Sequence, residues 1–493
     1  MPHIINDIRR GLYLDSVALM RMSRTVAAME GVAECGMMMG TPANKRIMAD
    51  AGVLAAAGEA AAPGDLVIAI AAKDKPSADA ALVAARTLLE KPKASSGSGA
   101  TWAPRTIRAA VAADPAANIA LISVPGNFAA AEARKALQRG VNVMMFSDNV
   151  SIADEVELKQ LARDKGLLMM GPDCGTAIIN GTPLCFANVV PRGDIGIIGA
   201  SGTGIQEVSC LIANNGGGIS HAIGVGGRDL KAEVGGITTL MAIDVLDADP
   251  GTRMIVLISK PPAEDVARKV LARVAQSNKP FAICFIGGSG DGMPAHAKFA
   301  STLEAAADLA LGKTPVRATE LPNTIRRGQY IRGLFAGGTL CAEAQVILGA
   351  AGLKCASNVP IPGHTQINSG HAGHTIIDLG DDEYTQGRPH PMIEPSVRDA
   401  PLLAALSDKD AGVVLIDLVL GHGGHADPAS YISAVLEKAP AARPLVIASV
   451  TGTKSDPQDW GYQRTLLSSA GVVLALSNAE AVRLAVRQIG LST

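Results

Sequence analysis

The sequence predicts an α/β protein of several parallel-sheet βαβ domains, with a small N-terminal α/β domain in front. Three observations carry that prediction. Strand-like and helix-like patterns alternate along nearly the whole chain, as βαβ units require. The apolar runs are strand-length and unbroken, as in Leu66–Ala72, and unbroken runs belong to strands buried on both faces. Hydrophobic residues make up 48% of the 493 residues but aromatics only 3%, and Gly numbers 53, so the core is aliphatic and the turns are tight.

The totals also exclude classes. A chain this long outgrows a single core, so several domains are expected. A formal net charge of −2 argues against nucleic-acid or membrane-surface partners. No apolar run approaches the ~20 residues of a membrane span. Charges at Asp7, Arg9 and Arg10 precede any apolar run, which is not a signal-peptide pattern. The seven cysteines (35, 174, 185, 210, 284, 341 and 355) contain no CxxC pair. Reduced thiols in the cytoplasm are therefore expected, not disulfides or zinc.

Taken in order, residues 1–90 form the small N-terminal domain: strand 11–16, helix 17–29, strand 32–40, an Ala-rich helical stretch opened by Thr41 and Pro42, strand 65–72, and helix 77–89 with Ser77 as N-cap. The methionines at 37–39 read as core or interface filler. Residues 91–104, KPKASSGSGATWAP, have linker composition. The alternation then resumes over 105–192, with helix 106–113, strand 119–126, helix 129–140, strand 141–148, helix 151–165 and strand 166–175. A third unit, 193–312, runs through strands near 195, 219, 254 and 281, with helices 236–246, 263–276 and 295–310. After a Pro-containing connection, a fourth unit covers 324–493.

Candidate sites follow from this layout, because ligands in parallel sheets sit at the carboxyl ends of strands. The chain is organised around 194–209, DIGIIGASGTGIQEVS, a buried strand, a small-residue turn and an apolar helix. Ser201, Gly202, Thr203 and Gly204 there present free amides at the positive end of a helix, a site for phosphate or carboxylate. The stretch 413–428, VVLIDLVLGHGGHADP, repeats the form, with Gly421, Gly423 and Gly424 in the turn. His422 and His425 flank that turn as hydrogen-bond donors or proton shuttles. The loops SVPGN and GPDCG supply Asn127, Asp173 and Cys174 as substrate-binding candidates, and GGRDL supplies Arg228. Lys260 follows a buried strand and favours a bound anion. His371 and His374 precede a strand ending in Asp378, with Asp381 and Asp382 beyond. Their spacing matches no standard ligand motif, so no metal is expected there; His374 is a catalytic candidate, and Asp378 and Asp381 are substrate-binding candidates. His390 lies in a Pro-flanked turn at the rim.

These residues carry a likeness. SVPGNF, GLLMMGPDCG, GIIGASGTGIQEVS, GVGGRDL and KPFAICFIGG resemble the α subunit of succinyl-CoA synthetase. TIIDLGDD, VVLIDLVLGHGG and SSAGVVLALSNAEAVRLAV resemble the carboxy-terminal domain of its β subunit. With HTIIDLGDDEYTQGRPHPMIEP added, the chain resembles the FdrA family over its full length. The resemblance implies a CoA-binding-like Rossmann domain at 105–192, and flavodoxin-like domains at 193–312 and 324–493. It implies two helix N-termini aimed at one phosphoryl group, here residues 201–204 and 421–424. It implies an enzyme subunit working in a homo-oligomer or hetero-oligomer, first as a carbamoyl or acyl transferase converting oxalurate and phosphate to oxamate and carbamoyl phosphate, and alternatively as an acyl-CoA synthetase with a separate nucleotide-binding partner.

Departures from the pattern matter as much. The Gly-rich turn that cradles CoA should precede Thr106, where a linker stands, and no ATP-grasp domain is recognisable. The active-histidine run is replaced by GMPAHAKFAS, leaving His296 as an echo, and an acidic position is Lys260. Phosphate or a small acyl phosphate is thus the expected substrate, with no resident cofactor, CoA left open, and no covalent phosphoenzyme. A non-enzymatic scaffold that senses an anion is the remaining alternative.

Overall fold

The structure is a computed structural model that describes residues 2–12, 14, 16–90, 104–315, 319–322, 328–368, 372–385 and 389–490. It divides into two compact units, one of residues 1–103 with 382–389, the other of 104–381 with 390–493. The expected linker 91–104 lies outside the described residues except for Pro104, and His371 lies outside them too.

The smaller unit is an antiparallel sheet in which the fully buried strand Leu66–Ala72 pairs with His3–Arg9 on one side and Val32–Met39 on the other. Helices Ser16–Ala27 and Lys75–Glu90 accompany it. The first strand is His3–Arg9, not residues 11–16. Pairing along its whole length with the buried strand Leu66–Ala72 carries it into the sheet despite its charges, and Asp7 is held by Arg86 at 2.8 Å. The last helix is opened by Asp74, whose carboxylate takes the Ser77 amide at 2.9 Å, so Ser77 is not the cap. Met37 and Met39 are core residues, 1% and 6% exposed.

The larger unit contains three sheets. A three-stranded parallel sheet (Ile119–Ile122, Asn142–Met145, Met169–Met170) covers the expected Rossmann-like region. A seven-stranded sheet centres on Arg192–Gly199 and Met254–Ser259, with Phe281–Phe285 and Ala297–Phe299 on one side and Ile219–Gly224 on the other. Its far edge is an antiparallel hairpin, Thr176–Ile179 with Thr182–Cys185, that the alternation did not signal. The expected helix 295–310 is instead strand Ala297–Phe299 and helix Leu303–Leu311. Thr302 ends the strand pattern by capping the Ala305 amide at 3.0 Å. The second seven-stranded sheet is wholly parallel and centres on Tyr330–Phe335, His374–Asp378 and Ala411–Val419.

The two seven-stranded sheets share one core, in which helix Gly202–Asn214 of the first meets helix Gly338–Ala350 of the second. The helices carry the same pattern, Gly-Thr-x-x-x-Glu, at 202–207 and 338–343. Glu207 crosses to the second domain and accepts the Asn478 amide at 3.0 Å and the Thr451 hydroxyl. Glu343 crosses the other way and accepts the Leu303 amide at 2.6 Å and the Asn478 side-chain amide at 2.7 Å. Each carboxylate thus serves the first turn of the other domain's last helix. Glu304 adds the Ser477 hydroxyl at 2.6 Å and an ion pair with Arg483. This reciprocal clasp sets the relative placement of the two helix starts.

Burial first, then neighbouring Glu207 and Glu304, push the Glu343 carboxyl up to about 8. Its native form therefore keeps a proton that the unfolded chain, with a carboxyl near ~4.3, has given up. Stability from this group falls as pH rises from ~4.3 to about 8, at up to ~1.4 kcal/mol per pH unit. Denaturant titrations across that window are expected to show a loss that is shallower in Glu343→Gln.

Candidate functional site

The site is built at the carboxyl ends of the two large sheets. Strand Arg192–Gly199 feeds the turn at Ala200 and Ser201, and the helix starts at Gly202. Ser201 is the N-cap, its hydroxyl oxygen accepting the Gly204 amide at 3.0 Å. The same oxygen accepts the hydroxyl of Thr339, the second residue of the opposing helix. With both lone pairs used, the Ser201 hydroxyl proton is left to donate. Strand Tyr330–Phe335 likewise feeds Ala336 and Gly337 into helix Gly338–Ala350, which has no side-chain cap. A Cβ on Gly337 would stand 3.1 Å from Thr203 Cβ, and one on Gly204 3.3 Å from Thr339 Cγ2. The two helix starts therefore touch. The amides of Gly202, Thr203, Gly338 and Thr339 have no acceptor among the described residues.

The partner of residues 201–204 is thus Gly337 to Thr339, not Gly421, Gly423 and Gly424. The physical reason lies in how the second loop is used. The helix after it begins only at Pro428, and its first turn is already satisfied by the Asp427 carboxylate (Ser430 amide, 3.2 Å) and Gln463 (Ala429 amide, 2.8 Å). An anionic cap there repels a second anion. The Gly421 amide and carbonyl are both held by Gln458, at 3.0 and 2.7 Å, and the His422 amide by the Ala187 carbonyl at 2.9 Å. The loop is a strut against 186–188, where Asn188 and Gln206 bond the Leu420 carbonyl at 3.0 and 3.2 Å. His425 accepts the Asp427 amide on Nδ1 at 3.1 Å and stacks edge-on to Tyr431. The repeated Gly-Thr-x-x-x-Glu pattern is the signal that would have found the true partner.

A buried framework holds the second helix start. Asp417, with no exposed surface, accepts the Ala336 and Gly337 amides at 2.7 Å each and pairs with Arg398 at 2.8 Å. A lone carboxylate in the apolar run VVLIDLV was the sequence mark of this role. Asp378, 5% exposed, ends strand His374–Asp378 and comes from the adjacent strand to the same place. Its backbone is pinned by Asn358 on both sides, at 2.9 Å each, and Oδ1 accepts the Gly380 amide at 2.9 Å. Oδ2 stands 2.5 Å from where a Gly338 Cβ would be, and Lys260 Nζ 3.6 Å from that same point. Burial pushes the Asp378 carboxyl up to about 6 against the opposing pull of Lys260. His390 Nε2 lies 2.6 Å from a Cβ placed on Gly380, and Nδ1 accepts the Met392 amide at 3.2 Å. Burial lowers His390 to about 4, so the ring is neutral and its proton sits on Nε2. With Nε2 protonated it is a donor, not a phosphoryl acceptor.

Other expected residues lie elsewhere. His374 is at the amino end of its strand, its Nδ1 accepting the Ile331 amide at 3.1 Å and its ring edge-on to Tyr330. One strand's length therefore separates it from the anion site. His296 is likewise at the wrong end, with Nε2 on the Val274 carbonyl at 3.0 Å and its own carbonyl accepting the Phe281 amide. The five residues of Phe281–Phe285 stand between it and the carboxyl-end loops, on the order of 13 Å.

Arg228 is spent on Glu155 and the Val150 carbonyl, both at 2.8 Å. Glu155 in turn pairs with the fully buried Lys159 at 2.9 Å, and Lys159 with Asp229 at 2.6 Å. That cluster ties the three-stranded sheet to the loop after Ile219–Gly224. Cys174 is buried against the Gly224 carbonyl at 3.3 Å and burial pushes its thiol up to about 12, so it packs and does not react. Asn127 is exposed in the first turn of helix Gly126–Leu137, and Asp173 is exposed at φ 57 beside Gly227. These two follow strands of the three-stranded sheet, Ile119–Ile122 and Met169–Met170. Asp381 adds negative charge near Asp378.

Residues 192–287 match the model of a CoA binding domain, and residues 334–487 that of CoA-ligase. The first match begins at the strand leading to Ser201, after the region 105–192 where CoA-binding character was expected. Residues 1–104 match the model described as AllF, heavy metal-associated domain. Among the described residues no group of three or more His, Cys, Asp or Glu is placed to hold a metal ion. Among curated proteins, the Escherichia coli (strain K12) "Uncharacterized protein YahF" is 43% identical over 96% of both chains. The mitochondrial succinate–CoA ligase [ADP-forming] subunit alpha-2 of Trichomonas vaginalis is 28% identical over 35% of this chain and 57% of its own. Among solved structures, a dinucleotide-forming acetyl-coenzyme A synthetase 1 of Ca. Korarchaeum cryptofilum aligns over 76% of this chain and 82% of its own, at 16% identity and a TM-score of 0.32. No helix among the described residues is long and apolar enough to cross a membrane.

Proposed function

The chain belongs to the family of Escherichia coli YahF, and for it we propose an enzyme of CoA-ligase type that moves an acyl group to or from inorganic phosphate at the paired helix starts, without a phosphohistidine. The observation that carries this reading is the abutment of two sets of helix-start amides without acceptors, with Lys260 beside them and, among the described residues, no histidine placed as a nucleophile. Amides of Gly202, Thr203, Gly338 and Thr339, with the Ser201 hydroxyl, would hold phosphate through two positive helix ends. Lys260 would offset its second charge. Held there, a phosphate oxygen attacks an acyl carbonyl, the C–O bond to phosphate forms, the bond to the carrier breaks, and the carrier leaves with its electron pair. Positioning of the anion supplies most of the rate.

The CoA-ligase and CoA-binding matches favour a CoA thiolate as the carrier. Carbamoyl transfer, with oxamate as the carrier and carbamoyl phosphate as the acyl phosphate, is the alternative that the FdrA resemblance supports. Hydroxylamine trapping of acyl phosphate tests both, with acyl-CoA plus phosphate in one arm and oxalurate plus phosphate in the other. Product in either arm, with no acid-labile phosphoprotein, is the expected result; a phosphoprotein, or no product in both arms with candidate partner subunits added, would overturn the reading. Lys260→Met is expected to raise the half-saturating phosphate concentration by about tenfold or more while leaving the melting temperature unchanged, since an exposed lysine contributes little to stability.

A further inference from the structure

We infer that Asp378 is the acid of the anion site: it donates a proton to a phosphoryl oxygen, so that binding an anion takes up one proton from solvent. The inference rests on the anion-site reading above and names the group that makes it selective.

The geometry leaves little alternative use for this carboxyl. It is 5% exposed, yet only Oδ1 is occupied, by the Gly380 amide at 2.9 Å. Oδ2 has no donor among the described residues and faces the start of helix Gly338–Ala350, 2.5 Å from a Cβ built on Gly338. An anion on the Gly338 and Thr339 amides would lie against Oδ2. Two acceptors meeting there would repel, whereas a carboxylic acid and a phosphoryl oxygen form a short, strong hydrogen bond.

Charged and titratable groups face it from several elements. Lys260, from the end of Met254–Ser259, draws the carboxyl toward ionisation. Asp381 on its own segment and Asp417 on Ala411–Val419 oppose that, and Asp417 is already paired with Arg398. Cys341, one turn into the helix, is a buried neutral thiol, and His390 is a neutral ring. Burial dominates, and the free carboxyl titrates at about 6. A bound dianion raises that further, so proton uptake and affinity are linked. The required sign is that anion affinity is constant below about pH 6, then falls by about tenfold per pH unit above it.

Sulfate is the probe, because it stays dianionic throughout the range in which phosphate itself titrates. Full-length protein is titrated calorimetrically with sulfate from about pH 5 to about pH 8.5, in buffers of differing ionisation enthalpy. The expected result is uptake approaching one proton near neutral pH and the stated fall in affinity. Asp378→Asn keeps the Gly380 contact and places an N–H donor at the second position. It is expected to bind sulfate as the wild type does at low pH, with no pH dependence. Lys260→Met, which removes the ammonium and keeps this carboxyl, is expected to bind more weakly and still take up the proton. Wild-type binding without uptake, or an Asp378→Asn variant with the wild-type slope, overturns the inference alone. Absence of sulfate and phosphate binding at every pH overturns the anion-site reading with it.

Discussion

Gly338→Val is expected to cut acyl-phosphate turnover by more than about a hundredfold while the protein stays folded. The added Cβ would lie 2.5 Å from Asp378 Oδ2 and 3.6 Å from Lys260 Nζ. It would therefore stand beside the carboxyl and the ammonium, in the volume assigned to the anion. Removing one well-placed donor from such a site typically costs ~10²–10³ in turnover, and this substitution would block several at once. The backbone dihedrals of Gly338 admit a side chain, but the Asp378 carboxyl has to shift to admit the Cβ, so the melting curve decides how much of the loss is structural. The measurement is kcat and the half-saturating phosphate concentration, with a melting curve alongside. Near-wild-type turnover in a folded variant would place the chemistry elsewhere.

Lys159→Met is expected to have the largest effect on stability, a loss of about 3–5 kcal/mol in denaturant unfolding. Lys159 has no exposed surface and neutralises two buried carboxylates, Glu155 at 2.9 Å and Asp229 at 2.6 Å. Its ammonium also donates to the Val225 carbonyl at 3.1 Å. Asp229 cannot relax away, because it holds the Thr238 and Thr239 amides at 3.1 and 2.9 Å and so starts helix Ile237–Ala248. Methionine fills the volume but leaves uncompensated charge. Glu155 keeps Arg228, so Asp229 is the group that suffers most. Adding Asp229→Asn to the Lys159 variant is expected to recover part of the loss, because it removes the charge left without a cation. A change under ~1 kcal/mol would mean that the cluster is hydrated in solution.

Legibility in the sequence followed the range of the physics involved. The apolar runs Leu66–Ala72, Met254–Ser259 and Ala411–Val419 were readable as buried strands, since unbroken β-branched and aliphatic runs have few other solutions. Helix ends were readable where a short polar side chain sits next to the periodic stretch, as at Thr106, Ser151 and Ser201. The failures were mostly cases in which a distant group decided a local one. Residues 295–310 have helical composition, but Ala297–Phe299 pairs with Phe281–Phe285 because that edge was open. His374 and Arg228 have the side chains of an active site and are used for packing and pairing.

The turn at 201–204 was determined by its own residues. Ser201, two glycines and an apolar helix make an anion-receptive helix start wherever the strand before it is buried. What faces it was not determined locally. Gly421 to Gly424 and Gly337 to Thr339 are both small-residue turns after buried strands, and sequence pattern alone favours the first, with its histidines. Tertiary structure chose the second, because Glu207 and Glu343 exchange across the two domains and bring the helices that bear them end to end. It also placed Asp378 and Lys260, far apart in the chain, next to Gly338. A backbone turn is a property of neighbours in sequence, whereas an electrostatic site is a property of neighbours in space, and only packing supplies the latter.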